Sequence, residues 1–104
     1  MIVYIAGPYT KGDVESNVRD AIIAAEKVSN LGHTPYIPHL THFWHLTFPH
    51  SIDFWYKYDI QFLILCGCIL RLPGDSIGAD NEVMFAKGIS MPVYYSIESL
   101  PKGD

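Results

Sequence analysis

Apolar and polar positions along the chain fall into short blocks whose period switches back and forth. Ile2 to Ala6 is an unbroken β-rich apolar run halted by Gly7-Pro8, the pattern of a fully buried first strand that opens into a loop. From Asp13 to Leu31 the apolar residues Val14, Val18, Ala21, Ile22, Ala25, Val28 and Leu31 recur at three- and four-residue steps. That spacing predicts an amphipathic helix with Asp13 as N-cap and Gly32 as its stop. Thr34 to Ile37 predicts a second short strand. Pro38 then opens a histidine- and aromatic-rich stretch, His39 to His50, with no clear period, which predicts a loop with room for one helical turn.

Ser51 is placed to cap a further helix running through Ile52, Trp55, Tyr56, Asp59, Ile60 and Leu63, and Gly67 separates it from a third strand, Cys68 to Leu72. After Pro73-Gly74-Asp75-Ser76 comes a helix from Gly78 to Lys87, ended by Gly88, and then a last strand, Pro92 to Tyr95. Strands that alternate with helices imply parallel pairing through right-handed crossovers. The expected fold is therefore α/β, with helices on both faces of a parallel sheet of about four strands.

Composition narrows the function classes. The 104 residues are expected to form one domain, with no repeats or linkers. Apolar residues make up 49% of the chain and charged ones only 17%, which excludes disorder and favours self-association, as a homodimer or higher oligomer. The net charge of −4, with no basic cluster, offers no landing surface to nucleic acid or an anionic membrane, so a small molecule is the expected partner. The longest apolar run, Phe62 to Leu70, is far below the ~20 residues of a bilayer span and reads as core. Met1 leads straight into the first strand without a basic leader, so a cytoplasmic location is expected. Cys66 and Cys68, one residue apart, suit buried free thiols rather than a disulfide or a closed zinc site.

Ligands of an open parallel sheet bind beyond the carboxyl ends of its strands. Three segments belong there: Gly7-Pro8-Tyr9-Thr10, Pro38-His39-Leu40, and Pro73 to Glu82. Glu82, read as lying in the first turn of its helix, sits three residues after Ala79 and four before Ala86, on the inward stripe. The helix N-terminus would keep its carboxylate ionised, ready to attack an electrophilic carbon; Glu82 and Asp80 equally suit a role that only complements the helix dipole. Asp59 takes an inward position with Ile52, Trp55 and Leu63, where an unpaired charge is expensive, unless the stripe is rotated by one residue and Asp59 is exposed. Two inward carboxylates at one cleft match the needs of glycosyl transfer.

Gly7-Pro8 and Ser76-Ile77-Gly78 are able to present backbone N–H groups to a phosphate, with the Ser76 hydroxyl beside them, although as turns they need no such role. His39, just past the second strand, is the histidine best placed to touch a ligand. His39, His42 and His45 recur every third residue, a spacing compatible with a metal but set among Phe43, Trp44, Phe48 and Trp55, which favour an aromatic wall. Tyr9, Phe43, Trp44 and Trp55 are candidates to stack on a nucleobase, or are core and subunit contacts.

With these residues in view, the chain resembles the nucleoside 2-deoxyribosyltransferase superfamily, in particular its small relatives similar to 2′-deoxynucleoside 5′-phosphate N-hydrolases. The resemblance rests on Val3-Tyr4-Ile5-Ala6-Gly7-Pro8-Tyr9, on Tyr58-Asp59, and on Ser76-Ile77-Gly78-Ala79-Asp80-Asn81-Glu82 followed by Ala86. It implies a small flavodoxin-like, Rossmann-like sheet, Glu82 as the nucleophile on C1′, Asp59 serving the leaving base, and Tyr4 orienting the glutamate. It implies substrate contacts from Gly7, Pro8, Tyr9, His39, Ser76 and Gly78, and no metal or organic cofactor. Ser76 stands where the nucleotide hydrolases have a phosphate-binding serine and the transferases an aspartate, which points to a nucleoside 5′-monophosphate and favours hydrolysis over base transfer. The carboxy-terminal segment through which relatives reach a neighbour's site is expected to be absent or reduced to Ser96 through Asp104. Gly67 replaces a frequent acidic residue, and His39 to His50 is peculiar to this short branch. Two rivals stand beside this reading: a catalytically silent nucleotide-binding module, and a zinc or manganese hydrolase using His39, His42 and Asp53.

Overall fold

A computed structural model describes residues 1–103. Four strands, β1 (Ile2–Ala6), β2 (Thr34–Tyr36), β3 (Cys68–Arg71) and β4 (Val93–Tyr94), form one wholly parallel sheet in the order β2-β1-β3-β4. Between them run α1 (Val14–Asn30), a short 3-10 turn (Pro38–Thr41), α2 (His42–Thr47), α3 (Ile52–Leu63) and α4 (Ile77–Gly88). This is the α/β architecture that the alternating pattern predicts.

Strand alternation sorts β1 between the two layers. Val3 and Ile5 point to the α1 face, where they pack with Ala21, Ala25 and Val28, while Tyr4 and Ala6 point to the opposite face beneath α3 and α4. Continuous burial of β1 and β3 follows from their central positions in a sheet covered on both sides. The second layer holds Leu63 of α3 with Ala79, Val83 and Ala86 of α4. Small residues on α4 allow it to lie close to the sheet, and this closeness carries Glu82 into the layer.

Several local expectations shift. His39 to His50 contains real helix, the 3-10 turn and then the six residues of α2, instead of a loop with one turn. On α1 the buried stripe is Ala21, Ala24, Ala25 and Val28, and Ile22 is exposed, because the helix docks through its small residues. Ile52 is also exposed: it sits at the first turn of α3, beyond the sheet, so the inward stripe of that helix begins later. Within the apolar run Phe62 to Leu70, Ile64 and Leu65 are exposed at the end of α3, and only Leu63 and the β3 residues are core. Gly88 is the last residue of α4 rather than its stop, and Ser90 supplies the left-handed turn (φ 60°) that follows. Both cysteines are free.

The caps are as mixed as they are informative. Ser51 and Ser76 cap α3 and α4, their hydroxyls accepting from the backbone N–H of Phe54 and Ala79 at 3.1 Å each. Asp13 occupies the cap position of α1, but its carboxylate accepts from the Ser16 hydroxyl (2.8 Å) and leaves the backbone N–H groups alone. Beyond β4 the chain folds back across α1. Leu100 enters that core layer, His33 Nε2 donates to the Pro101 carbonyl at 2.5 Å, and Gly103 N–H donates to the Leu31 carbonyl at 2.7 Å. The short tail thus packs on its own sheet; Asp104 at its end lies outside the described residues. No helix among the described residues is long and apolar enough to cross a membrane.

Candidate functional site

The carboxyl edge of the sheet gathers three chain segments into one polar cluster. Tyr4, at the centre of β1 and fully buried, donates its hydroxyl proton to Glu82 Oε2. Glu82 comes from the second turn of α4, not the first as the sequence reading had it, and it is only 9% exposed. Two consequences follow from that depth. The α4 N-terminus acts weakly there, since its influence fades within the first turn. Burial then dominates and pushes the Glu82 carboxyl up to about 8, the nearby Asp59 carboxylate adding to the rise while the Tyr4 hydroxyl and the Arg71 guanidinium pull it back. The carboxylate that the sequence reading kept ionised by the helix end is therefore held close to its titration point by burial.

Asp59 on α3 faces the same cluster. Its Oδ1 is buried without a hydrogen-bond partner, and burial pushes its carboxyl up to about 7. The inward placement predicted for Asp59 is thus realised, without the partner that a buried charge ordinarily requires. Tyr4 itself is lifted well above the usual phenol range by burial and by the Glu82 and Asp59 charges, so its hydroxyl keeps its proton and acts as a donor.

Two neighbours of this cluster escaped sequence reasoning. Tyr36 is the register partner of Tyr4 across β1 and β2, stacks on it with ring centroids 5.6 Å apart, and stacks on Phe62 of α3 at 5.0 Å. Its signal was the alternation of β2, which puts Tyr36 on the same face as Tyr4 once the register is known. The second neighbour is Arg71, buried at the end of β3. Its Nε and Nη2 donate to Asp80 Oδ1 at 3.3 and 3.0 Å, Nη2 also donates to the Gly74 carbonyl at 2.9 Å, and Nη1 donates to the Leu72 carbonyl. One guanidinium thereby ties the loop after β3 to the first turn of α4. An arginine inside an apolar strand pattern was the available clue.

The other predicted residues have definite places. Gly7 is buried against Leu72, so close that a Cβ would come within 3.1 Å of that side chain, which accounts for the glycine by packing. The Pro8 carbonyl accepts from His39 Nε2 at 3.0 Å. His39 is only 6% exposed, its other ring nitrogen is buried without a partner, and burial lowers its basicity, so the ring is neutral near pH 7. Tyr9 packs edge-on against His39 and places its hydroxyl 2.5 Å from His42 Nδ1. Ser76 is taken up by its cap but keeps its own hydroxyl proton to donate, and Gly78 beside it faces open space.

The histidine triplet does not converge. His39 turns to Pro8, His42 to Tyr9, and His45 Nδ1 accepts from Trp55 Nε1 at 2.7 Å. Asp53 pairs with Lys57 on the surface of α3. No three metal-ligating side chains come together among the described residues. Nor do Trp44 and Trp55 present one flat stacking wall. They meet edge to face, with centroids 4.9 Å apart, and Phe43 points outward.

Solved structures add one relation. A 2-deoxyribosyltransferase from the psychrotolerant bacterium Bacillus psychrosaccharolyticus, described as a biocatalyst for the synthesis of antiviral and antitumoral nucleosides, superposes with a TM-score of 0.61. The alignment covers 89% of this chain and 69% of that one at 19% identity, which shows a shared fold. No curated protein matches the sequence. Residues 1–95 match the family model described as "Domain of unknown function (DUF4406)", and the chain belongs to that family.

Proposed function

We propose that this DUF4406 protein cleaves the N-glycosidic bond of a nucleoside 5′-monophosphate or nucleoside, with Glu82 as nucleophile and hydrolysis preferred to base exchange. The observation that carries the reading is the buried pair of carboxyl groups, Glu82 held by the Tyr4 hydroxyl and Asp59 with a free oxygen facing the same cluster. Two acids raised to about 8 and about 7 by burial exchange protons near neutrality, the condition for one to attack as an anion while the other carries a proton.

In this reading the reactive form of the pair has the anion on Glu82, favoured by the Tyr4 hydrogen bond and the Arg71 charge, and the proton on Asp59, a minority arrangement reached by proton exchange between carboxyls at about 8 and about 7. Glu82 attacks the anomeric carbon as the C–N bond breaks, and the Asp59 proton passes to the departing base. The Asp59 carboxylate then takes a proton from water as that water attacks the anomeric carbon and frees Glu82, so configuration is retained. Ser76 and the free N–H groups at the start of α4 are the groups that would hold a 5′-phosphate. The likeness to a 2-deoxyribosyltransferase supports the chemistry at the level of a common fold.

The test is chromatographic detection of free base from a panel of ribo- and deoxyribonucleosides and their 5′-monophosphates, with and without an acceptor base. Release from one class by the wild type, abolished in Glu82→Ala, is the expected result. Saturable binding with no base released from any substrate would replace the enzyme by a binding module.

A further inference from the structure

One side of this protein is apolar where a soluble surface is ordinarily charged. Leu40, Phe43 and Leu46 follow one another at three-residue steps across the 3-10 turn and α2, a single outward stripe, and the next apolar residues along the chain, Phe48 after α2 and Ile52 at the start of α3, are exposed as well. Phe43 and Phe48 are 78% and 65% exposed, which for phenylalanine is roughly 200–350 Å² of ring surface in water from these two alone. With Leu40, Leu46 and Ile52, all more exposed than buried, the face passes the few hundred Å² that monomers ordinarily tolerate. It approaches the ~800 Å² that each partner contributes to a stable interface.

The occupant is constrained by charge. No Asp, Glu, Lys or Arg occurs between Lys27 and Asp53, so the face has nothing with which to recognise a nucleic acid, a charged peptide or an anionic membrane. A symmetric contact brings identical patches together, which a patch of one charge resists and an uncharged apolar one accepts. The exposed apolar residues of α1 and α4 lack this property. Ile22 and Ile23 stand among Arg19, Asp20, Glu26 and Lys27 on α1, and Met84 stands near Lys87 on α4.

We infer that the α2 face, centred on Phe43, Leu46 and Phe48, is a two-fold interface that pairs two copies of this chain. Pairing requires nothing of the chemistry at Glu82, but it bears on the same region. α2 is tied to the loop after β1 by the Tyr9–His42 bond and to α3 through Trp44, whose ring lies 5.3 Å from that of Tyr58, next to Asp59. A second copy on α2 therefore buttresses the segment that borders the cluster.

Sedimentation velocity across a concentration series reads the pairing. The wild type is expected to be a dimer at micromolar concentration, and Phe43→Glu and Phe43→Lys to weaken dimerisation by roughly 30-fold or more each. Mixing those two variants is expected to restore a dimer, because opposite charges then meet across the two-fold axis; this arm separates a lost interface from a lost fold. A wild type that is monomeric at all concentrations overturns the inference, as does one that floats with neutral phosphatidylcholine vesicles without self-associating. Dimerisation unaffected by either charge overturns the assignment of this face.

Discussion

The hydroxyl of Tyr4 donates to Oε2 of Glu82, joining the middle of the first strand to the second turn of the last helix across 78 positions of sequence. Both groups are buried, so each is the other's means of satisfying a polar atom away from water. Removing the donor leaves a carboxyl group unpaired in the core. Tyr4→Phe is therefore expected to cost about 1–3 kcal/mol in urea denaturation and to raise the Glu82 pKa further, since the lost hydrogen bond lowers it. Carboxyl carbon NMR titration of Glu82 in both proteins checks the second part; an unchanged or lowered value contradicts it.

Stability should fall as pH rises through neutrality. Asp59 and Glu82 hold their protons more tightly in the folded chain, at about 7 and about 8, than their ordinary 3.8 and 4.5, so folding takes up protons in that window. Their contribution is complete at acid pH, declines as pH passes from the ordinary to the raised values, and is lost above the latter. Urea midpoints measured from about pH 5 to about pH 8.5 are expected to drop for the wild type and to stay flatter for Asp59→Asn/Glu82→Gln. Parallel curves would show that the two carboxyls do not carry the dependence.

Arg71 is expected to be a stability residue out of proportion to its visible ion pair. Its partner Asp80 is 65% exposed, so Asp80→Ala should cost no more than about 1 kcal/mol. Arg71→Met instead strands the Leu72 and Gly74 carbonyls and should cost about 2–3 kcal/mol. Arg71→Lys should recover less than half of that, because an ammonium lacks the planar fork that reaches three acceptors. Equal losses for Asp80→Ala and Arg71→Met would assign the effect to the ion pair.

Ser76 offers a way to separate capping from phosphate recognition. Ser76→Ala removes the cap of α4 and should cost about 1 kcal/mol. Aspartate caps as well as serine, so Ser76→Asp should keep the fold while setting a negative charge where the proposed 5′-phosphate would lie. Calorimetric titration is expected to show at least a tenfold loss of affinity, about 1.4 kcal/mol, for a nucleoside monophosphate and little change for the nucleoside. Equal losses for both ligands would remove the phosphate from this site.

Much of this protein was legible one segment at a time. Unbroken apolar runs for β1 and β3, and three- and four-residue apolar spacing for α1, α3 and α4, locate those elements within a residue or two, because those patterns are what a sheet covered on both faces and its helices must bury. The same spacing turns Asp59 and Glu82 inward, and the chain motif adds Tyr4 beside them. His39 to His50 hid its helix because α2 is only six residues long and follows a 3-10 turn of different period, too short a stretch for one helical spacing to stand out among the surrounding aromatics.

What tertiary structure alone decided is distance between segments remote in sequence. Strand register sets Tyr36 over Tyr4 and brings Arg71 level with Ala6 at the edge of the cluster, and no local pattern encodes register. The charge state of Glu82 was misjudged for a related reason. From sequence it is an acid near a helix start, whereas depth beneath α4, the Asp59 charge and the Tyr4 hydroxyl determine its pKa, and all three arise only when the layers close. Residue type and spacing determined which groups turn toward the core; packing determined which of them meet there, and in what protonation state.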